Sequence, residues 1–283
     1  MRKIALFLIA FSSSAAAQDY QIVTSIAPIQ GIVAEITEGR HVPVLLVPPG
    51  ADPHEFALRP SQIRALQNAD LIVLAGNGME PWWDSVSGQI SPQTLVLNLA
   101  ALPQMAAFAL PLRDNETLTD PHMWLSPDIA RIWAAVIAEK LGTADPMAED
   151  LYAQNLQALL RETDLAVLAA HETLAPVLPV QMVMGHDSLQ YFEHAFGLQF
   201  GGAFSDGDGA EAGAMGVSEI AALSGPRCLV VDVNEAGAHG HAVLDDAPVV
   251  MVDPLGANLL GQPHFLGNLY TGLAMALAGC APD

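Results

Sequence analysis

The chain has few cysteines, few charged residues and only one long uninterrupted apolar run. Its 283 residues include two cysteines and 14% charged residues, against 52% hydrophobic residues. This composition excludes a disordered chain and can fill sizeable cores. The sequence also lacks an internal repeat, an HExxH helix, a nucleophile elbow and a phosphate-binding loop. The motifs of the common hydrolases and nucleotide-binding proteins are therefore missing.

Positive charge is also scarce. Ten lysines and arginines stand against 31 aspartates and glutamates, which gives a formal net charge of −21. Such a surface repels nucleic acid and anionic membranes, and it attracts cations without selecting among them. Acidity of this kind is also common in exported proteins, where it favours solubility. We therefore expect no nucleic-acid partner, and we expect a monomer.

The apolar run lies at the N-terminus. Arg2 and Lys3 precede the letters IALFLIAF, and SSSAAA then supplies the small residues of a signal-peptidase site. We interpret residues 1–17 as a cleaved secretory signal peptide. The run is too short for a membrane anchor, and no cysteine at the cleavage point offers a lipid attachment site. We therefore expect a periplasmic protein.

The two cysteines, Cys228 and Cys280, form an even pair in a chain expected to be exported. In an oxidising compartment such a pair predicts one disulfide bond. Cys228 opens the apolar run CLVVDV, and Cys280 follows the last helical pattern. The bridge would tie the C-terminal helix to a sheet, whereas a metal-binding role for the two thiols is the weaker alternative.

Short apolar runs alternate with helical stretches in two series. Strands are predicted in the segments 21–29, 42–47, 69–76, 94–100, 179–185, 198–204, 227–233 and 248–253. Such a rhythm indicates parallel sheets covered by helices. We predict an α/β protein of two lobes, each a mostly parallel sheet flanked by helices, joined by one long rigid helix. The predicted bounds are 18–141 for the first lobe, 142–176 for the linking helix and 177–283 for the second lobe.

Two helices are predicted between the series. Ser126, Pro127 and Asp128 match an N-cap, a proline at the first helical position and an acidic residue in the first turn, so a helix should run over 127–141. The second helix should cover 145–174, where apolar residues recur at helical spacing. Neither helix requires His122, which raises the question of what this residue does.

Metal-binding side chains follow several predicted strands. His54 lies in a Pro/Gly loop after a strand, while His186 and Asp253 each end one, and His122 precedes the helix at 127. In open parallel sheets, ligands bind beyond the carboxyl ends of the strands. Three imidazoles and one carboxylate suit tetrahedral Zn²⁺. The sequence therefore predicts a zinc site with two ligands from each lobe.

Five segments resemble one family of proteins in the same order along the chain. They begin VTSIAPIQGIVAEI, VPPGADPHEFALRPSQ, DPHMWLSPDIARIW, GHDSLQYFEHAFGLQ and DPLG. The chain resembles the periplasmic zinc-binding (ZnuA-like) solute-binding proteins of metal-uptake ABC transporters over nearly all of its mature length. The resemblance implies two α/β lobes joined by a long helix, a metal in the cleft and a disulfide at Cys228–Cys280. It also implies that the protein is not an enzyme, and that an ABC permease, with a periplasmic metal chaperone as a further candidate, is its partner.

The resemblance places the ligands at His54, His122, His186 and Asp253. Manganese-type relatives carry glutamate in place of His186, so this histidine favours Zn²⁺ over Mn²⁺, which remains the alternative cargo. The chain departs from many zinc-type members because its segment 101–120 has no histidine-rich loop. It also has Pro53 where some members carry a carboxylate, so Glu55 and water remain alternatives to Asp253.

The sequence also leaves open several interpretations of individual segments and of the function. A second histidine pair, His239 and His241, predicts either a weaker metal-collecting loop or a solvated turn. The glycine-rich segment 205–216 is a candidate gate. A zinc hydrolase could use Glu55 or Asp187 as its base, but a catalytic zinc needs an open position and the four predicted ligands close it. A metal-independent adhesin is a third class, which nothing in the sequence requires.

Overall fold

We describe the protein from a computed structural model that covers most of the chain. The described residues are 20–76, 78–113, 115–178, 180–205, 214–223, 227–233 and 247–281. The predicted signal peptide at 1–17, the pair His239 and His241, and most of the segment 205–216 lie outside these residues. No helix in the described part of the chain has the length and apolar character needed to cross a bilayer.

Two four-stranded sheets form the framework, and every pairing within them is parallel. The first contains β1 (Ile22–Thr24), β2 (Val44–Leu45), β3 (Leu71–Leu74) and β4 (Leu95–Asn98), in the spatial order β2-β1-β3-β4. The second contains β5 (Gln181–His186), β6 (Gln199–Ser205), β7 (Arg227–Asp232) and β8 (Val249–Val252), in the order β6-β5-β7-β8. The predicted α/β class with two parallel sheets is confirmed.

Eight α-helices cover the sheets and link them within the described residues. They are α1 (Ala27–Ile36), α2 (Pro60–Gln67), α3 (Trp83–Val86), α4 (Pro127–Ala144), α5 (Glu149–Leu174), α6 (Gln190–Phe196), α7 (Ala214–Ala222) and α8 (Phe265–Ala278). One strand prediction was too long, because α1 begins inside the predicted strand 21–29. Pro28 lies in the first turn of α1, where its missing N–H costs no hydrogen bond.

The two central helices differ from their predicted bounds. Ser126 caps α4 through its side chain as expected, but α4 continues beyond 141 to Ala144. The long helix α5 has 26 residues and begins at Glu149 rather than at 145. Pro146 opens a short 3-10 turn instead, Pro146–Ala148, which reverses the chain between α4 and α5. At 1.5 Å per residue, α5 is about 39 Å long and spans both lobes.

One continuous hydrophobic core runs through both lobes. Ile29 and Trp133 of the first lobe belong to the same buried cluster as Met182 and Phe265 of the second. α1 and α8 approach each other closely at Gly31, where a Cβ atom would overlap the Phe265 ring. The lobes are therefore packed together and share apolar surface.

The predicted disulfide is confirmed. Cys228 at the start of β7 is bonded to Cys280, just after α8, and their Cα atoms lie 5.5 Å apart. Both cysteines are buried in the shared core. The bridge fixes the C-terminal helix to the second sheet, and it leaves no free thiol for metal binding.

Candidate metal site

Three histidines distant in sequence meet between the lobes. His54, His122 and His186 each offer a ring nitrogen, and these nitrogens all lie within 4.8 Å of one another. Two nitrogens bound to one tetrahedral Zn²⁺ at about 2.1 Å lie roughly 3.4 Å apart. Small side-chain movements therefore suffice to place all three on a single ion. The structure thus brings together three of the four ligands predicted from the sequence.

His122 is held by the buried carboxylate of Asp120. The Oδ1 atom of Asp120 accepts the backbone N–H of His122 at 2.8 Å and lies 2.9 Å from Nδ1 of the same residue. Since this oxygen already acts as an acceptor, we assign the ring proton to Nδ1. The Nε2 lone pair of His122 is then available to a metal, as in other carboxylate–histidine–metal arrangements.

Burial disfavours the charged forms of both residues in the metal-free protein. His122 is 4% exposed, and its burial lowers the pKa of the imidazole to about 3. Asp120 is fully buried, which raises the pKa of its carboxyl group to about 7, and its Oδ2 atom has no hydrogen-bond partner among the described residues. His122 is therefore a neutral imidazole throughout the physiological pH range, which is the form that binds metals.

Packing around His122 joins the two lobes. Trp124 lies next to the imidazole, with a ring-centroid distance of 5.3 Å, and is fully buried. Its Nε1 donates a 2.8 Å hydrogen bond to the carbonyl of Pro254, and the hydroxyl of Tyr270 donates one of the same length to the carbonyl of Trp124. The ligand is thus held by residues of both lobes, which answers the question that its sequence position raised.

His186 occupies the carboxyl end of β5, as the sequence predicts. It is 7% exposed, and its Nδ1 lies 3.4 Å from Oγ of Ser205 at the end of β6. The next residue, Asp187, accepts a 2.8 Å hydrogen bond from Nε of Arg113 in the first lobe. Arg113 also pairs with Glu193 of α6. These ion pairs bridge the lobes, and they occupy the carboxylate of Asp187.

His54 lies on a more open part of the structure, which we call the His54 loop (residues 46–59). Its side chain is partly exposed, and its backbone N–H donates to Oδ1 of Asp52 at 2.8 Å. Its ring centroid lies 5.4 Å from that of His122 and 5.6 Å from that of His186. Asp52 and Glu55 on the same loop are exposed. The His54 loop therefore presents one ligand together with two solvent-facing carboxylates.

The three histidines line one cavity of about 120 Å³. Residues of the second lobe complete its polar side, namely Ser188, Ser205 and Asp232. On the other side of His54 lies a second cavity of about 320 Å³, which is bordered by Thr117, Leu118 and Thr119. His54 therefore borders both the cavity of the metal site and the cavity near the segment 117–119.

Asp253, predicted as the fourth ligand, is not brought into this group. No oxygen of Asp253 lies within 4.8 Å of all three nitrogens, and the residue does not line the cavity of about 120 Å³. Its carboxylate instead accepts the backbone N–H groups of Gly256 at 2.9 Å and Ala257 at 3.0 Å. In the sheet, β7 lies between β5, which carries His186, and β8, which precedes Asp253, although the next two residues, Pro254 and Leu255, do line the cavity.

Sequence reasoning missed three acidic residues at the site, one of which, Asp52, lines the cavity two positions before His54. Asp120 stands two positions before His122, where an Asp-Pro-His turn would have indicated it. Asp232 ends β7, so the strand-end argument that selected His186 and Asp253 would also have selected it. Among the described residues, only the three histidines meet closely enough to form a metal-binding group.

Comparisons with known proteins agree with this architecture. The family model described as "Zinc-uptake complex component A periplasmic" matches residues 22–274. A high-affinity zinc uptake system protein ZnuA from Paracoccus denitrificans is 27% identical, with 92% of this chain and 91% of that protein covered.

Solved structures show the same fold. A ZnuA deletion mutant with zinc bound has a TM-score of 0.80 at 24% identity, with 94% of this chain and 99% of that chain covered. The Pseudomonas aeruginosa solute-binding protein FpvC in complex with Mn²⁺ has a TM-score of 0.78 at 16% identity, with 93% and 99% covered. Proteins with this fold have thus been solved with zinc and with manganese bound. The family match covers most of this chain. The chain belongs to the ZnuA family of periplasmic zinc-uptake components.

Proposed function

We propose that this protein captures Zn²⁺ in the periplasm and delivers it to the permease of an ABC transporter. The observation that carries the proposal is that three imidazole ring nitrogens lie within 4.8 Å of one another. Three imidazoles from His54, His122 and His186 favour Zn²⁺ over the harder Mn²⁺, which prefers oxygen ligands. The zinc-uptake name of the 27% identical relative supports the same cargo.

The proposal also includes export. A cleaved signal peptide at residues 1–17 and the Cys228–Cys280 disulfide both fit a periplasmic location. Mass spectrometry of the protein recovered from the periplasm should show a chain that begins at Gln18. Intact residues 1–17 in that fraction would contradict this part of the proposal.

A hydrolase function is less well supported by the geometry. Asp187, one of the two candidate bases, is 3% exposed and bound to Arg113. Glu55, the other candidate, is exposed on the His54 loop. Neither carboxylate joins the histidines in a metal-binding group among the described residues. We therefore favour binding and transfer of the ion over metal-dependent hydrolysis.

The first test is a competition titration with the mature protein. Metal-free protein should take one tight equivalent of Zn²⁺ from a chromophoric chelator and bind Mn²⁺ weaker by orders of magnitude. His186→Ala should remove the tight site, because it removes one of three protein ligands. His194→Ala is the matched control, since His194 is an exposed histidine of α6 outside the site. Equal or tighter Mn²⁺ binding would contradict the zinc assignment.

Delivery is tested separately. Zinc-loaded protein should stimulate ATP hydrolysis by the cognate transporter in liposomes, and metal-free protein should stimulate it less. A tight zinc site combined with no effect of the loaded protein on the transporter would leave a zinc-binding protein without the proposed transport role.

A further inference from the structure

A short hairpin between β4 and His122 reaches from the first lobe to the second. Its two arms are joined by backbone hydrogen bonds, among them one from the N–H of Asp120 to the carbonyl of Leu110 at 2.9 Å. We call this hairpin the strap (residues 110–113 and 115–120). The strap ends at Asp120, whose carboxylate holds the imidazole of His122. One arm of the strap is therefore part of the support of a proposed metal ligand.

The other arm of the strap is bonded to the second lobe. The backbone N–H of Leu110 donates to the hydroxyl of Tyr191 at 3.0 Å, and the carbonyl of Pro111 accepts from Nε2 of Gln190 at 3.1 Å. Gln190 and Tyr191 are the first two residues of α6. The backbone of the strap is thus fixed to the start of this helix.

Arg113 of the strap makes the charged contacts with the second lobe. Its Nε donates to Oδ2 of Asp187 at 2.8 Å, and its guanidinium also pairs with Glu193. Donors of a guanidinium lie in one rigid plane, so bonds to two carboxylates fix its orientation. Asp187 is 3% exposed and directly follows His186, and its backbone N–H donates to the carbonyl of Ser205 at 3.0 Å. Arg113 therefore holds the backbone next to a second proposed ligand.

The strap thus joins two ligands that come from different lobes. At one end Asp120 orients His122, and at the other Arg113 is bonded to the residue beside His186. The separation between two ligands limits the size of the ion that both can bind. Selection by size also requires that the ligands cannot move apart, because a flexible site adapts to a larger ion. Contacts behind the ligands are what prevents such movement.

We propose that Arg113 is a positioning residue that fixes the separation of His122 and His186 and so selects the ion by size. It acts through Asp187 and the strap, and it does not touch the ion. The informative competitor is Cd²⁺, which has the same filled d shell as Zn²⁺ and also accepts imidazole, but is larger. The inference rests on the proposed binding of zinc by the three histidines.

The test compares the affinities of the two ions. Metal-free mature protein would be titrated with Zn²⁺ and, separately, with Cd²⁺ in competition with a chromophoric chelator. Arg113→Gln should lower zinc affinity about tenfold, because it removes a contact that supports the ligands. The preference for Zn²⁺ over Cd²⁺ should fall about fivefold, since a looser site admits the larger ion. Arg113→Lys should restore part of this preference, because an ammonium group keeps the charge but not the planar geometry.

Arg40→Gln is the matched control. The side chain of Arg40 is 35% exposed, against 30% for Arg113, and it pairs at 2.7 Å with Asp145 at the end of α4, away from the second lobe. This variant should leave the preference for Zn²⁺ over Cd²⁺ unchanged. A variant that merely destabilises the fold should not alter the ratio of the two affinities, and thermal unfolding of the metal-free variants records their stability.

A double variant separates the loss of the strap contact from a second effect. Arg113→Gln leaves the buried carboxylate of Asp187 without its cation, and an unpaired buried charge has consequences of its own. Arg113→Gln/Asp187→Asn removes both charges and should show the same reduced preference as Arg113→Gln. If Arg113→Gln does not fold, Glu193→Gln removes one of the two carboxylate partners instead and should lower the preference about twofold.

The outcomes distinguish this inference from the proposed function. An unchanged preference in Arg113→Gln, or in Glu193→Gln where that variant replaces it, would overturn the inference while zinc binding stands. An equal loss of preference in Arg40→Gln would also overturn it. A wild-type preference in Arg113→Gln/Asp187→Asn would do the same, because it would assign the effect to the unpaired carboxylate. Failure of the wild type to bind zinc, or of His186→Ala to lose it, would overturn the proposed function instead.

Discussion

His122 and His54 bring the same imidazole to the site from opposite kinds of structure. His122 is buried, oriented by Asp120 and packed against Trp124, which is bonded to the other lobe. His54 is partly exposed on the His54 loop, beside the solvent-facing Asp52 and Glu55. We call these the fixed side and the open side of the site. The fixed side is preorganised for an ion, and we expect the ion to enter and leave through the open side.

The largest expected effect compares the two ligands directly. His122→Ala should weaken zinc binding by about 1,000-fold or more, because it removes a preoriented ligand from a closed cavity. His54→Ala should cost less, about 10–100-fold, because water from the open side can replace the imidazole. Competition against a chromophoric chelator measures both. Equal losses would mean that the two sides do not differ in the way described.

The next effect concerns the carboxylates behind the two ligands. Asp120→Asn should lower zinc affinity by about tenfold, because the amide is a weaker acceptor for the Nδ1 proton of His122. Asp52→Asn is the matched substitution on the open side, where the exposed carboxylate accepts a backbone N–H of the His54 loop and also borders the cavity. It should lower affinity less than Asp120→Asn does, because solvent screens an exposed charge. A larger effect from Asp52→Asn than from Asp120→Asn would reverse the assignment of the two sides.

A third prediction uses the pH dependence of folding in the metal-free protein. Between about pH 4 and 6.5 the unfolded chain binds a proton on His122, whereas the folded chain binds one on Asp120, whose pKa is about 7, and none on His122, whose pKa is about 3. The pair therefore contributes almost no slope to the stability of the wild type. In Asp120→Asn the folded state loses its proton site, so stability should fall as pH drops below 6.5.

The expected difference in slope between Asp120→Asn and wild type is about 1.4 kcal/mol per pH unit. Urea unfolding of metal-free protein at pH 5, 5.5, 6 and 6.5 measures it, and Asp52→Asn provides the control on the open side. Parallel pH profiles for wild type and Asp120→Asn would show that burial does not raise the pKa of Asp120. A stability of Asp120→Asn that stays constant between pH 5 and 6.5 would show that burial does not hold His122 in its neutral form.

The smallest expected effect concerns the rate at which zinc enters the site. Glu55→Gln removes one exposed charge from the His54 loop, so the equilibrium affinity for zinc should change by less than about twofold. The association rate should fall by a similar small factor at low salt and converge with the wild type at high salt, because surface charges are screened. Stopped-flow measurements at two ionic strengths test this, and a salt-independent difference would contradict it.

Much of the site could be predicted from the sequence because parallel strands place their carboxyl ends at one edge. That rule selected His54 and His186, which the structure brings together with His122 although long stretches of chain separate them. It also selected Asp253 and did not separate it from Asp232, because the rule does not say which strands are neighbours. The order β6-β5-β7-β8 places Asp232 nearer to His186, and this order depends on pairing between distant segments.

Local features of the chain were also predicted only in part. The cap at Ser126 is a short-range pattern, and the structure contains it. The start of α5 was misplaced because apolar spacing continues through Pro146, whereas the backbone there turns. The Asp-Pro-His turn places Asp120 near His122, but its complete burial against the imidazole is not visible in composition or spacing.

The shared core of the two lobes has a kinetic consequence. If the lobes separated enough to expose a further ~400 Å² of apolar surface, the cost would be about 10 kcal/mol at ~25 cal/mol per Å². A state that costly is populated at about one part in ten million, since each ~1.4 kcal/mol is a factor of ten. Spontaneous escape of the ion by lobe opening on that scale would therefore be rare. The dwell time of the ion should instead report the motion of the His54 loop, which borders the cavity of about 320 Å³ near the surface.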